Sequence, residues 1–328
     1  MSPEAIPNDR LQFHAMDVEA HQHTFARDVA YGLAAPQKWL PPKYFYDEHG
    51  AQLFDEITRL PEYYPTRCEL AILESHADEM AKLVPADAAL IEFGSGSTRK
   101  ARMLLDAAPA ITAYVPVDIS SEMLRQEAAD LRRDYARLTV LPVEADFTKP
   151  FQLPRDIAAR PHVGFFPGST IGNFEPFAAA AFLSHAALML GAGSTLIIGF
   201  DLIKDVKVLN AAYNDSAGVT ARFNLNLLTR INRELGGNFD LDKFCHQAFY
   251  NTERRRIEMH LASRERQRVK AAGRSFEFRG GETIHTENSY KYTPESFNAM
   301  ARGSGWTPVA AWTDPQGYFM VQALSRQG

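Results

Sequence analysis

The stretch Ala88-Ala89-Leu90-Ile91-Glu92-Phe93-Gly94-Ser95-Gly96-Ser97 decides the fold. A short apolar run ends at a glycine turn, and residues 100–108 then read as a helix capped by Ser97 or Thr98. The same rhythm continues downstream. Residues 113–117 read as a second strand, ending at Asp118. Ser120 then caps a helix whose apolar positions Leu124, Ala128, Leu131 and Tyr135 recur at helical spacing. Residues 139–143 and 163–166 are the third and fourth strands. Residues 176–190 form a helix stopped by Gly191, and residues 195–200 form a fifth strand that ends at Asp201. This alternation predicts an α/β fold, a mostly parallel Rossmann-like sheet with helices on both faces. Ligands of such sheets bind beyond the carboxyl ends of the strands.

The pattern changes after about residue 204. Residues 219–235 read as a helix stopped by Gly236. Ile257, Met259 and Leu261 alternate with polar residues, as do Phe276 and Phe278, which predicts a half-buried antiparallel sheet. Thr293 caps a further helix, with Pro294 at its first position, closing at Gly303. Strands at residues 307–312 and 318–324, joined by Asp314-Pro315-Gln316-Gly317, complete the first sheet. Residues of about 204–291 are then a second unit inserted before the last pieces of the first.

The 328 residues suffice for one large or two ordinary domains, and a hydrophobic fraction of 45% excludes disordered and fibrous classes. A net charge of -5 argues against nucleic acid as a partner, because phosphate neutralisation needs a positive surplus. Cys68 and Cys245 cannot build a disulfide framework, and the N-terminus lacks a basic region followed by an apolar one. A cytoplasmic location is expected. Residues 177–190, the most apolar stretch, fall short of the ~20 residues that span a bilayer, so they read as a buried amphipathic helix and no membrane is expected. His21-Gln22-His23 and Cys245-His246 lack partners at metal-ligand spacing, so no metal is expected. Arginines between 254 and 256 and at 264, 266 and 268 read as a solvated basic face.

The glycine turn Gly94-Ser95-Gly96 allows close approach of a ligand to the backbone. Arg99 stands where a dinucleotide fingerprint wants its third glycine, which weakens a hydride-transfer reading. Asp118 ends the next strand at the distance usual for an acid that takes ribose hydroxyls. Asp146 and Phe147 follow the third strand, where an acid meets an adenine amino group and a ring stacks on the base. In this order the three elements describe a nucleoside site.

These residues resemble class I S-adenosylmethionine-dependent methyltransferases. Longer runs narrow the resemblance. They are residues 40–47 (LPPKYFYD), 60–67 (LPEYYPTR), 168–173 (GSTIGN), 256–259 (RIEM) and 286–289 (TENS). Together they are similar to the histidine-specific Nα-methyltransferases that make hercynine, the first intermediate of ergothioneine biosynthesis. The likeness runs from about residue 25 to the C-terminus. It implies S-adenosylmethionine as methyl donor, S-adenosylhomocysteine as product and L-histidine as substrate; a monomer is expected. It also implies a smaller α+β substrate-binding domain at residues 21–67 and 203–291, with residues 68–202 and 292–328 as the methyltransferase core.

The resemblance assigns Asn173 and Tyr213 to the substrate's α-carboxylate, and Tyr46 and Tyr63 to its amine and imidazole, with Tyr46 and Asn173 closest to the reaction. Glu287 and Ser289 match the pair that reads the imidazole, beside an apolar wall at Met259. Gly94, Ser95, Gly96, Lys100, Asp118, Asp146, Phe147 and Gly168 match the cofactor side. His285 and Tyr290, which flank the reading pair, depart from the family pattern. The residues agree with these roles: Glu287 and Ser289 share a strand face, where a carboxylate accepts from one ring nitrogen and a hydroxyl serves the other. Taken singly, the pair reads as a solvated strand face and Lys100 as a solvated helix lysine. Two other readings stand beside histidine methylation. One is the same chemistry on another amino acid or a tryptophan-like amine. The other is a non-catalytic binding protein of the same fold.

Overall fold

The computed structural model describes residues 15–96, 98–119 and 121–327. The expected caps Ser97 and Ser120 lie outside the described residues, as do the side chains of His21 and Gln22. In chain order the elements begin with α1 (Ala15–Ala34), β1 (Lys38–Trp39), a 3-10 turn (Pro42–Phe45), α2 (Glu48–Thr58) and α3 (Tyr64–Ala81). Then come β2 (Ala88–Phe93), α4 (Arg99–Ala107), β3 (Ile111–Asp118), α5 (Ser121–Asp134), β4 (Thr139–Val140), β5 (Val143–Glu144) and β6 (His162–Phe166). A 3-10 turn (Thr170–Asn173) leads to α6 (Pro176–Leu190), β7 (Thr195–Asp201), α7 (Val206–Tyr213) and α8 (Val219–Leu235). Strands β8 (Phe244–Asn251), β9 (Arg256–Ser263), β10 (Gln267–Ala271), β11 (Arg274–Phe278) and β12 (Thr283–Tyr290) follow, and α9 (Pro294–Gly303), β13 (Thr307–Thr313) and β14 (Phe319–Ser325) close the chain.

The chain packs as two compact units. Of the described residues, the larger holds those of 51–220, Ala248–Met259 and 287–327; the smaller holds 15–50, Ala221–Gln247 and His260–Thr286. Residues 51–67, 203–220, 248–259 and 287–291, which the sequence reading grouped with the smaller domain, therefore pack with the larger unit.

The larger unit is built on a sheet of order β13-β14-β7-β6-β2-β3-β4, with β5 also on β3. Strands β7, β6, β2, β3, β4 and β5 pair in parallel, and the β13–β14 hairpin adds antiparallel to β7. Short apolar runs form these strands because both sheet faces are covered: all six residues of β2 are buried. The third strand differs from expectation. It splits into β4 and β5, because Pro142 has no N–H to continue a ladder. Successive strands run outward from β2 through β3 to β4, and the chain then returns to lay β6 on β2's other side. That reversal opens a crevice at the carboxyl ends of β2 and β6, the usual ligand position in such sheets.

Helix α6 buries Ala179, Phe182, Leu183, Ala186, Ala187 and Leu190 against the sheet. Its other face leaves Phe177 and Leu188 exposed, so it is half-buried rather than buried. Among the described residues no helix is long and apolar enough to cross a membrane. Helix α9 opens as expected, with Pro294 at its start and a reciprocal bond pair between Thr293 and Ser296. Strand β9 departs from the expected half-buried alternation. It lies between β12 and β8 in a sheet of order β1-β12-β9-β8, and all eight of its residues are buried. Phe276 and Phe278 belong instead to the separate β10–β11 pair. The expected solvated basic face loses Arg256. That side chain is buried, with Nε on Glu258 (2.8 Å) and an Nη on Glu175 (2.7 Å) and Tyr290 (2.7 Å), because a buried guanidinium needs acceptors.

Trp306, just after α9, is 1% exposed and donates its indole N–H to the Leu183 carbonyl at 2.8 Å, which fastens the C-terminal helix and hairpin to α6. Trp306→Ala should cost ~3–5 kcal/mol of stability, read as a lower midpoint of urea unfolding. An unchanged midpoint contradicts this anchoring.

Candidate active site

The expected cofactor residues gather at the ends of β2 and β3 in the larger unit. The Gly94 N–H donates to the Val117 carbonyl at 2.8 Å, which ties the glycine turn to the strand end that carries Asp118. Asp118 closes β3, in register with Glu144. Glu127 on α5 takes the Thr98 N–H; burial, then the Asp118 charge, pushes its carboxyl up to about 7. Thr98 stands at the start of α4, but its hydroxyl caps no helix N–H. Phe147 packs on the turn, where a Cβ at Gly94 would lie 3.3 Å from its ring, and among Phe166 and Phe182. Asp146 accepts the Thr148 N–H at 3.1 Å. The Ser95 hydroxyl, 1% exposed, finds no hydrogen-bond partner among the described residues. A buried orphan hydroxyl in a glycine turn, between a strand-end acid and an aromatic ring, fits a polar nucleoside ligand.

The turn after β6 is fixed from three sides. The Gly168 N–H donates to both carboxylate oxygens of Glu69 on α3, each at 2.9 Å, and Lys100 Nζ lies 2.5 Å from the same carboxylate. Lys100 is thus neither solvated nor alone: it pairs with a buried acid. Glu69 fits there because Gly199 on β7 has no side chain; a Cβ would sit 2.1 Å from Glu69 Oε1. The Ser169 hydroxyl accepts the Asp201 N–H at 3.0 Å. At Gly172 a Cβ would meet the Tyr290 carbonyl at 2.8 Å, so only glycine lets this turn lie against β12. Asn173, the last residue of the turn, is thereby placed beside the strand that carries Glu287 and Ser289.

Tyr63, Tyr213, Glu287 and Ser289, four of the residues expected at the substrate, lie together. The Tyr63 and Tyr213 rings are 6.1 Å apart, edge to face, and Tyr213 donates its hydroxyl to Ser289 Oγ at 2.8 Å. Burial, then neighbouring groups including Glu287, holds both phenols well above their usual range, so they stay protonated. Burial pushes the Glu287 carboxyl up to about 7, against the pull of Lys291. Behind them lies a buried charge cluster. Asp201 takes Lys204 on one oxygen (2.5 Å) and Lys291 (2.7 Å) with the Tyr64 hydroxyl (2.6 Å) on the other. Burial alone would raise the Asp201 carboxyl, but the two ammonium groups draw it below its usual range. Burial brings Lys204 down to about 8, although Asp201 opposes this. Met259 is buried in the same unit, on β9. Tyr46 belongs to the smaller unit, half-exposed, with its ring 5.8 Å from Phe223.

Sequence reasoning named the strand-end acids and the glycine turns, and the family resemblance added the Glu287–Ser289 pair. It missed Glu69, Lys204 and Lys291. A buried glutamate inside a helix and two lysines outside any motif have no local signal; only their shared partners reveal them.

Comparison with known proteins adds to this geometry. A family model described as histidine-specific methyltransferase, SAM-dependent, matches residues 25–326. The chain is 44% identical over 309 residues to the histidine N-alpha-methyltransferase of Mycolicibacterium smegmatis, covering 92% of this chain and 94% of that one. It is 42% identical over 306 residues to the protein of the same name from Mycobacterium tuberculosis, again covering 92% and 94%. It is 32% identical over 294 residues to ergothioneine biosynthesis protein 1 of Neurospora crassa, covering 84% of this chain and 32% of that longer one.

The Glu69–Gly199 fit has a measurable consequence. Gly199→Ala should cost ~1–3 kcal/mol through overpacking. In a Glu69→Ala background the same change should cost much less, because contacting residues couple. Urea unfolding of the four proteins gives the cycle; additive losses would show that the two positions do not press on each other.

Proposed function

The chain belongs to the family of histidine-specific, SAM-dependent methyltransferases, and we propose that it methylates the α-amine of L-histidine up to the trimethylated product, hercynine, at the entry to ergothioneine biosynthesis. The observation that carries this reading is one strand face: Glu287 and Ser289, backed by Tyr213 and Lys291, beside the turn that carries Asn173. When bound, S-adenosylmethionine supplies a methyl group already activated by its sulfonium. Gly94, Ser95, Gly96, Lys100, Asp118, Asp146, Phe147 and Gly168 would hold it, with Asp118 on the ribose and Lys100 on the carboxylate end.

The chain's own residues align the amine for in-line attack. Asn173 donates to the α-carboxylate beside the neutral Tyr213, whose single proton goes to Ser289, Tyr63 flanks the amine and ring, and Met259 closes the apolar side. The attacking amine must be neutral. At a reference pKa of ~8 this costs only ~1.4 kcal/mol at neutral pH, so a strong base is unnecessary. Tyr63 and Tyr213 remain protonated phenols, which suits them as donors and leaves water to take the proton. Their ring faces favour the cationic product at ~0.5–2 kcal/mol each. The proposal extends to a monomer that acts in the cytoplasm on the free amino acid, without nucleic acid or membrane.

Incubation with labelled S-adenosylmethionine and L-histidine should give mass gains of one, two and three methyl groups. Methylation of tryptophan or another amine with none of histidine would overturn the reading. Glu287→Ala should lower the histidine-to-tryptophan ratio of kcat/KM by more than about tenfold, because a site built around a polar ring penalises apolar ones. A ratio kept within that range removes Glu287 as the ring reader.

The pH dependence follows from Glu287. Its folded value of about 7 exceeds the usual 4.5, so ionisation is disfavoured in the free fold. The carboxyl's contribution to stability is therefore present at low pH and is lost as pH rises from 4.5 through about 7. Ring reading needs the ionised form, so the KM for histidine should fall as pH rises through about 7, and Glu287→Gln should flatten that part of the profile. Parallel profiles for the two proteins would contradict it.

A further inference from the structure

We infer that Lys291 sets Ser289 as a hydrogen-bond donor toward the substrate ring, so that the pocket selects a neutral imidazole over any ring that presents two N–H groups. The inference rests on the reading of Glu287 and Ser289 as the ring-recognising pair and assigns Lys291 as its positioning residue.

The bonding leaves little freedom. An ammonium has three donors and no acceptor. Lys291 Nζ has three acceptors in reach: Asp201 Oδ2 at 2.7 Å, Ser289 Oγ at 2.8 Å and the Tyr213 hydroxyl oxygen at 3.2 Å. Its side chain is fully buried, as is that of Asp201. The anchor cannot swing away, because Asp201 also holds Lys204 and the Tyr64 hydroxyl. Ser289 Oγ accepts from Lys291 and also from the Tyr213 hydroxyl at 2.8 Å. A serine oxygen has two lone pairs and one proton. Both lone pairs are engaged on the protein side, so the proton is what Ser289 can offer a ligand.

Glu287 lies two residues earlier on the same strand face, so the two side chains address one ligand. Ionised, it only accepts. The pair therefore presents one acceptor and one donor. A neutral imidazole is the complement, with one N–H for Glu287 and one bare nitrogen for Ser289. An imidazolium brings a second N–H against the Ser289 proton. Among the described residues the charged and titratable groups around the pair include Lys291, Asp201, Lys204, Tyr63, Tyr64, Tyr213 and Tyr250, and Tyr63 and Tyr213 stay neutral.

The test uses rings that separate the two functions. The two thiazolylalanine isomers each carry one bare nitrogen, at one or the other imidazole position, and thienylalanine carries none. At alkaline pH, where Glu287 is ionised, the wild-type enzyme should prefer one thiazole isomer to thienylalanine by about tenfold or more in kcat/KM, since a site built to bond a polar atom rejects the analogue lacking it. The other isomer, with its bare nitrogen toward Glu287, should be no better than thienylalanine. Ser289→Ala should abolish the preference. Asp201→Asn combined with Lys291→Met removes the buried pair, and the Lys204 ammonium that Asp201 also held can shed its proton at the alkaline pH of the assay; the double variant should cut the preference at least about threefold while cofactor affinity by calorimetry is kept. Tyr213→Phe, which removes the second donor but leaves Lys291 in place, should weaken the preference less than the double substitution and serves if the latter does not fold. Wild-type indifference between thiazole and thiophene overturns the inference, as does a double variant that keeps the full preference, or a Tyr213→Phe enzyme that loses it entirely. If Glu287→Ala and Ser289→Ala both leave histidine selectivity intact, the reading of the ring pair fails first, and the role given to Lys291 falls with it.

Discussion

The site depends on one buried ion pair, Lys291 with Asp201, at the end of β7. Its components do different work. Asp201 ends the strand and, through its backbone N–H, holds Ser169 in the turn that leads to Asn173. Lys291 follows β12 and props Ser289 and Tyr213 from behind. Removing Asp201 would cost several kcal/mol, because the two ammonium groups it holds would be stranded in a medium that cannot solvate them. The pair therefore fixes a spacing: the turn after β6 and the reading face of β12 cannot move independently. With Lys204 and Glu287 the cluster alternates in sign, and it is neutral when Glu287 is ionised.

A second buried carboxylate does the same for the cofactor side. Glu69 comes from α3, yet it fills the space left by Gly199 on β7 and ties Gly168 to Lys100. The two acids bracket the turn of residues 168–173, which lies at the crevice where the strand order reverses. A methyltransferase needs little chemical assistance beyond alignment, and these fixed points supply it. The buried charges hold neutral donors and a hydroxyl in place: Lys291 holds Ser289 and Tyr213, and Glu69 holds the Gly168 N–H.

Much of this was legible in the sequence, and the reason is local. Strand, glycine turn and helix recur at short range, so Gly94 and Asp118 announce themselves by position, while Gly168 and Asn173 were named through the family resemblance. Glu287 and Ser289 were named through the family resemblance; period two adds only that they share one face. The third strand was misread as continuous because Pro142 breaks its ladder, and the alternation of β9 misled because a central strand is buried on both faces. Arg256 looked solvated in a basic stretch, but its partners Glu175, Glu258 and Tyr290 come mostly from other elements. Glu69 and Lys291 share the same difficulty: a charge held by tertiary partners leaves no periodic trace.

The central claim is that the substrate ring is read as a neutral imidazole between an acceptor and a donor. Nitrogen NMR of ring-labelled L-histidine, bound together with S-adenosylhomocysteine, tests it without turnover. The account predicts one protonated, pyrrole-type nitrogen and one bare, pyridine-type nitrogen that accepts a hydrogen bond, persisting below the pH at which free histidine protonates its ring. Two protonated nitrogens in the bound ring, or ring signals unchanged from free histidine, would contradict it.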